Sequence, residues 1–285
     1  MTSQFLRFFA MLGLALSIST ARNVFGAQNA NIGSESGLDR AMQKNAVKNV
    51  GMEPDKTGKV SKGEENAYKA LLAAQSGEPA KRIQLGEDFA AKFPTSHYLP
   101  GVYGVLASSY FATGDTDKMF ATGARAVQLD PGNVDVMSLL AMAIPRRVKA
   151  TTPDGAQQLQ TAEVYAHRAI EMIPAMAKPA AISDADFEKM KNDKLALAHS
   201  GLGLIDSQHS KYDEARAEFT QAVQLASTPD PVDFYLLGNA DIKSGYYHGA
   251  IDAYEKCAVT GPIVTECRNR ADSTRKDLPT FVSKD

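Results

Sequence analysis

The sequence is poor in the residues that build metal centres and reactive sites. Among 285 residues it has two cysteines, five histidines and no tryptophan. The histidines fall in no ligand-spaced pair, which argues against a zinc site. The formal net charge is only −2 and no basic stripe occurs, so the sequence does not indicate a dedicated nucleic-acid binder. Hydrophobic residues nevertheless make up 44% of the chain, which is sufficient for a large globular core.

The first 26 residues differ in composition from the rest. They carry Arg7 and then an apolar run from Phe8 to Ile18, and they contain no acidic residue. Small residues suited to cleavage follow at Ala21 and Gly26. The apolar run is too short for a membrane anchor, which needs about 20 residues, and no other stretch is apolar enough to span a membrane. We therefore predict that residues 1–26 are a secretory signal peptide and that the mature protein is exported, to the periplasm or the extracellular space.

A repeat of 35 residues is visible in the second half of the chain. When residues 233–262 are shifted back by 35 positions, six residues coincide in identity or in general size. The pairs are Leu237 with Leu202, Gly238 with Gly203, Tyr247 with Tyr212, Ala250 with Ala215, Tyr254 with Phe219 and Cys257 with Ala222. In the second helix of each unit, small, aromatic and small residues fall at i, i+4 and i+7, on one helical face. This spacing predicts two helices that approach closely where side chains are small, with aromatic rings filling the space beside those contacts.

A period near 34, with Leu-Gly in the first helix, Ala and an aromatic residue in the second and Pro at the end, resembles the tetratricopeptide repeat. The segment Phe-Pro-Thr-Ser at 93–96 is similar to junctions of periplasmic repeat proteins. The resemblance implies an all-α fold, a right-handed superhelix (α-solenoid) of about five antiparallel helix pairs with a C-terminal capping helix. The repeat domain is expected over residues 64–278, after a polar leader at 27–63 and before a tail at 279–285.

The predicted pairs are not all regular. Pro145 is expected to bend its helix or end it early, and residues 148–159 form an insert before the second helix of that unit. Another insert is expected at 175–183. Ser183 is the expected N-cap of the long helix that follows, because Ser is a favoured capping residue and acidic residues come directly after it.

One segment has the spacing of a calcium loop. Residues 53–64 place Asp55, Thr57, Gly58, Ser61 and Glu64 at positions used by an EF-hand. Glu53 stands where Asp is required, however, and no second hand follows. We prefer a polar turn that leads into the first helix. The sequence has no Walker, kinase, HExxH or Gly-x-Ser-x-Gly pattern, so we predict no cofactor, no metal ion and no catalytic residue.

The resemblance also implies a function. The first helices of such repeats form a concave face that commonly binds an extended peptide or a partner helix. We therefore interpret the protein as a non-enzymatic protein–protein interaction scaffold of the bacterial cell envelope or the secreted space. The repeat pattern places Tyr235, Asn239, Ile242, Lys243, Ser200, Leu204, Gln208, Ser138, Met142, Ser108 and Phe111 on this face. Asn239 and Lys243 resemble two members of a clamp for a peptide carboxylate, but Leu204 and Gln208 stand where its other two members belong.

An alternative interpretation is a glycan-binding helical protein, or an enzyme whose site is built on the inserts at 148–159 and 175–183. Against an enzyme stands the lack of a convergent set of His, Cys and carboxylate residues in the sequence. A protein partner recovered in stoichiometric amount from an envelope extract distinguishes the scaffold from the glycan binder. Neither interpretation involves nucleic acid or a membrane span in the mature chain.

Cys257 and Cys267 are the only cysteines, and an exported protein matures where disulfides persist. The Gly261-Pro262 break lies between them at a similar distance from each. In an antiparallel hairpin, residues equidistant from the turn come face to face, within the narrow separation that a disulfide requires. We predict that the two cysteines are bonded. In the alternative, Cys257 is merely a small buried residue and Cys267 is a free thiol.

Overall fold

The computed structural model describes residues 60–180, 182–259, 261–278 and 282–285. The predicted signal peptide at 1–26, and the predicted leader up to residue 59, lie outside the described residues. The same is true of most of the segment that resembles a calcium loop. Its last part is described: Ser61 is an N-cap whose Oγ accepts a hydrogen bond from the backbone N–H of Glu64 at 3.1 Å. That contact is the one expected of a polar turn leading into a helix.

The described residues form eleven α-helices. In chain order they are α1 (Lys62–Ala73), α2 (Pro79–Lys92), α3 (Leu99–Thr113), α4 (Thr116–Leu129), α5 (Val134–Arg147), α6 (Gly155–Met172), α7 (Asp184–Gln208), α8 (Tyr212–Leu225), α9 (Pro231–Ser244), α10 (Tyr247–Cys257) and α11 (Val264–Asp277). A short 3₁₀ turn, Ile173–Ala175, follows α6. The predicted all-α class is confirmed, with five sequential helix pairs followed by one further helix. The first helix begins two residues before the predicted domain boundary at 64.

Backbone contacts divide the described chain into two compact units, one ending at Leu140 and the other beginning at Ala141. In the first unit, α1 packs on α2, α2 on α3, and α3 on α4. In the second, contacts run in chain order from α6 to α11, and the first helices α7 and α9 also touch each other. The pairs α3–α4, α7–α8 and α9–α10 are joined by turns of two or three residues, which make their helices antiparallel. Gly114 and Gly245 supply the left-handed conformation at two of these turns, with φ of 78° and 84°.

One predicted feature of the long helix is confirmed. Ser183 is the N-cap of α7, and its Oγ accepts a hydrogen bond from Asp186 N at 3.1 Å. Pro145 lies inside α5, which ends two residues later at Arg147. The first insert is shorter than predicted, because α6 already begins at Gly155.

The close contacts predicted from the 35-residue repeat are present in both units of the repeat. A Cβ atom added to Gly238 of α9 would lie 2.6 Å from Cε1 of Tyr254 in α10. One added to Gly203 of α7 would lie 2.8 Å from the ring of Phe219 in α8. Both aromatic side chains are fully buried. The glycines are therefore required because an aromatic ring of the second helix occupies the place of their side chains.

The predicted disulfide is confirmed. Cys257, at the end of α10, is bonded to Cys267 of α11, and their Cα atoms are 5.9 Å apart. Both are completely buried in a cluster with Tyr235, Tyr254 and Ala271. The closed loop is short, with a sequence separation of 10, so the bond contributes at most about 3 kcal/mol through the unfolded chain. Helix α11 is thus held covalently against the last pair.

The contact between Gly238 and Tyr254 generates a stability prediction. Gly238→Leu should lower the free energy of unfolding by roughly 1–3 kcal/mol, because the new side chain overpacks a helix contact that has no room for even one methyl group. Chemical denaturation followed by circular dichroism measures this difference. The control is Gly63→Leu in the first turn of α1, where Ser61 Oγ at 3.9 Å is the only described atom within 4 Å of the added Cβ. Equal stability of Gly238→Leu and wild type would contradict the packing described here.

Candidate functional site

The residues predicted to line a groove on the first helices occupy three different environments. Ser108, Phe111 and Lys243 are exposed; Leu204, Gln208, Asn239 and Ile242 are partly buried; Tyr235, Ser138, Met142 and Ser200 are buried. Only the three exposed residues therefore have the accessibility that the prediction assumed. The other eight are partly or fully buried; Leu204, for example, packs against the cluster that contains Phe219 and Leu236.

Tyr235 is the largest departure from the predicted surface. It is only 3% exposed and packs in the cluster that contains Tyr254, Cys267 and Ala271. Ile242 packs against the same cluster. The predicted surface position of these two residues is wrong because α11 covers this side of α9. A capping helix is expected from the sequence after the last pair, but the repeat spacing does not tell which first-helix residues it buries.

Ser138 and Met142 are also corrected. Both belong to α5 and are almost completely buried, at 0% and 2% exposure. The segment from Val134 to Ile144 is apolar on nearly all sides, and a helix of that kind is normally buried rather than exposed on one face. The sequence carried this signal, although the spacing of the repeat suggested a surface position.

Asn239 and Gln208 use their amide groups within the protein. Asn239 Oδ1 accepts a hydrogen bond from the Tyr254 hydroxyl at 2.8 Å, which fixes the aromatic ring that packs on Gly238. Gln208 Nε2 donates to the backbone oxygens of Pro145 and Val148 at 3.0 and 2.9 Å. Its Oε1 accepts from Ala150 N at 2.9 Å. Gln208 therefore satisfies carbonyl groups at the end of α5 that have no partner within the helix.

Ser200 belongs to a polar network that sequence reasoning missed. Arg146 of α5 donates through Nη1 to Asp230 Oδ2 at 3.2 Å and through Nη2 to Asp233 Oδ1 at 3.1 Å. Nη2 also lies 3.3 Å from Ser200 Oγ, which itself donates to Asp233 Oδ1 at 2.7 Å. Arg146, Ser200 and Asp233 come from α5, α7 and α9, the first helices of three consecutive pairs. We call Arg146, Ser200, Asp230 and Asp233 the first-helix network.

The first-helix network is mostly removed from solvent. The Arg146 side chain is 16% exposed, whereas that of Asp230 is 40% exposed and forms the outer edge. Burial raises the pKa of Asp233, and the Arg146 charge and the Ser200 hydroxyl oppose this rise. A buried carboxylate held by a guanidinium and a hydroxyl fixes helix positions, because removing one partner leaves an uncompensated charge. The network therefore joins three first helices side by side within residues 141–285.

A second charged pair lies at the other end of α9. Arg216 Nε donates to Asp241 Oδ1 at 2.6 Å, and the guanidinium lies 4.0 Å from the centre of the Tyr246 ring. Asp241 is only 3% exposed. Burial raises its pKa to about 6 despite the Arg216 charge, and the nearby Asp285 carboxylate adds to the rise.

The inserts proposed to carry an alternative site contain structural contacts. In the first, the Thr152 hydroxyl donates to the backbone oxygen of Lys149 at 2.8 Å, and Gly155 is so close to that oxygen that a Cβ would lie 1.9 Å from it. In the second, Lys178 forms an ion pair with Asp184. Across the described residues, no group of three or more His, Cys, Asp and Glu side chains is arranged to hold a metal ion. Nor does that part of the chain contain a helix both long and apolar enough to cross a membrane.

Comparison with known proteins gives distant structural likenesses among solved structures. No protein-family model matches the sequence, and no curated protein matches it. Among solved structures, a thermophilic TPR protein of Thermus thermophilus is 20% identical with a TM-score of 0.47. The alignment covers 75% of this chain and 99% of that protein.

The raised pKa of Asp241 gives a pH prediction. The folded protein holds a proton on Asp241 up to about pH 6, whereas the unfolded chain loses it near pH 4. The folded state therefore binds more protons between these values, and stability contributed by this group falls as pH rises through that window. The melting temperature of wild type should fall relative to that of Asp241→Asn from pH 4 to pH 7. Asp252→Asn, which changes an exposed carboxyl of α10, is the control, and parallel pH profiles for wild type and Asp241→Asn would contradict the assignment.

Proposed function

We propose that the protein is a non-enzymatic interaction scaffold whose first helices bind an extended peptide or a partner helix of another protein. The observation that carries this proposal is the first-helix network. Because Arg146, Ser200 and Asp233 join three consecutive first helices, these three helices are held side by side at a fixed spacing. A surface that does not rearrange on binding loses less entropy when a partner docks, and this favours recognition.

The exposed residues on first helices supply candidate contacts. Phe111 of α3 is 46% exposed, and Ser108 lies one turn earlier on the same helix. In residues 141–285, Lys243 of α9 is exposed, and the partly exposed Asp230 carries a negative charge at the edge of the first-helix network. Each of these groups is a candidate contact within its own unit: Phe111 suits an apolar side chain of a partner, and Lys243 and Asp230 suit charged ones.

We further propose that the protein works in the cell envelope or the secreted space. The composition of residues 1–26 supports export. The disulfide between Cys257 and Cys267 supports it as well, because such bonds persist in oxidising compartments and are rare in the cytosol.

Export is tested by intact-mass measurement of the protein recovered from envelope and medium fractions. We expect a chain that begins after Ala21 or after Gly26. A recovered chain that still starts at Met1, or a protein confined to the cytosolic fraction, would contradict the proposed location.

Binding is tested by capture from an envelope extract of the producing bacterium. We expect wild type to retain a protein in stoichiometric amount, and Phe111→Ala or Lys243→Glu to reduce its affinity roughly fivefold or more, as loss of an interface contact worth about 1 kcal/mol does. Val164→Ala is the matched control, because Val164 is 48% exposed on the second helix α6. None of these three variants should change the helix content, since the three side chains are exposed.

Three results would contradict the scaffold. They are retention on polysaccharide alone, equal affinity of all variants for a verified partner, or an equal loss of affinity in Val164→Ala.

A further inference from the structure

Residues 282–285 lie against the first turn of α10. The backbone N–H of Tyr247 donates to Ser283 Oγ at 3.0 Å. The N–H groups of His248 and Gly249 donate to the two carboxylate oxygens of Asp285 at 3.2 and 2.7 Å. Lys284 adds a backbone bond in the other direction, from its N–H to the oxygen of Gly245 at 2.9 Å. A segment of the chain 36 residues away therefore occupies this helix start.

The donors in question are the groups that a helix leaves without internal partners. The first N–H groups of α10 have no carbonyl one turn earlier. Within the described residues, the N-cap residue Tyr246 contributes no side-chain hydrogen bond of its own. Partial burial acts to raise the pKa of Asp285, but hydrogen bonds from Ser283, Gly249 and His248 outweigh it and lower the pKa. The ionised carboxylate is thus the form that this site holds, as expected at the positive end of a helix.

The residues around this segment leave room for it and contact its side chains. Gly249 has no side chain, and a Cβ there would lie 3.1 Å from Asp241 Oδ2 and 3.2 Å from Asp285 Oδ2. The methylene groups of Lys284 pass over Gly245, where a Cβ would lie 3.6 Å from Lys284 Cε. The Lys284 ammonium lies 5.3 Å from the centre of the Tyr246 ring, the same ring that Arg216 contacts. Each of Ser283, Lys284 and Asp285 thus contacts a different group: Ser283 the Tyr247 N–H, Lys284 the Tyr246 ring, and Asp285 the N–H groups of His248 and Gly249.

We propose that the start of α10, together with Gly245 and Tyr246, is a binding site for a short peptide segment of the pattern Ser-Lys-Asp, and that residues 282–285 are the ligand it holds in cis. The site uses a second helix and its preceding turn, so it is separate from the first-helix surface discussed above. The proposal does not depend on the function proposed for that surface. A chain lacking residues 282–285 accepts the same peptide from solution, because the receptor groups belong to α10 and its turn.

The experiment uses a ¹⁵N-labelled chain that ends at Phe281 and the peptide Val-Ser-Lys-Asp, acetylated and amidated at its ends. We expect the amide resonances of Tyr247, His248 and Gly249 to move, as peptide is added, from their positions in the shortened chain towards those in the full chain. Loss of the covalent link removes an effective concentration in the millimolar range, so the titration extends to about 10 mM. The peptide Val-Ala-Lys-Asn should bind about tenfold more weakly, because it lacks the hydroxyl and the charge. No movement of these resonances, or equal shifts with the two peptides, overturns the proposal.

Two full-length variants keep the test decisive if the shortened chain does not fold. Ser283→Ala with Asp285→Ala removes both acceptors, and Gly249→Ala places a methyl group against the carboxylates. We expect the amides of residues 247 and 248 to lose their hydrogen-bonded shifts in both variants, while resonances of α7 and α8 stay in place. Unchanged amide shifts at residues 247 and 248 in both variants would overturn the proposal.

Discussion

The last two complete helix pairs depend on one contact, in which an aromatic ring of the second helix lies directly on a glycine of the first. Tyr254 on Gly238 and Phe219 on Gly203 set how near the two helices of each pair approach. Once that distance is fixed, alanines such as Ala215 and Ala250 become the right size for the positions beside the ring, and both are fully buried. Interiors are close-packed, so a pair built in this way presents the next helix with a surface of defined shape. The Asn239 side chain completes the arrangement by holding the hydroxyl of Tyr254.

This contact also explains which parts of the structure were predictable from the sequence. Gly203, Phe219 and their counterparts lie within one repeat, so their relation appears as a local spacing that a single sequence reveals. The cysteine pair was predictable for the same reason, since only one turn separates its members. The first-helix network was not, because Arg146 and Asp233 are separated by 87 positions and meet only after the three intervening helices have packed. Tyr235 was misplaced because a repeat pattern describes a helix inside an array, whereas α9 is followed by a capping helix that covers it.

Charged side chains in residues 141–285 serve mainly to fix helices, and some of the same groups also reach the surface. Arg146 and Asp233 are largely withdrawn from water, while Asp230 extends the network to the surface. Arg216 likewise bonds to a buried carboxylate and places its guanidinium on the Tyr246 ring. Buried ion pairs add little net stability but are strongly destabilising when one member is lost. They therefore restrict the sequences that preserve this arrangement more than they strengthen it.

The bond between Cys257 and Cys267 has a consequence for the end of the array. The side of α9 that carries Tyr235 and Ile242 is apolar and is covered by α11. Without a covalent link, α11 would open more readily than the interior of the fold, as terminal helices do. The bond joins α11 to the end of α10, so with the link intact α11 stays tethered beside that side of α9. In an oxidising compartment the disulfide therefore keeps that apolar side covered. In a reducing compartment α11 would open more readily and expose it, and the end of the array would then bind other apolar surfaces.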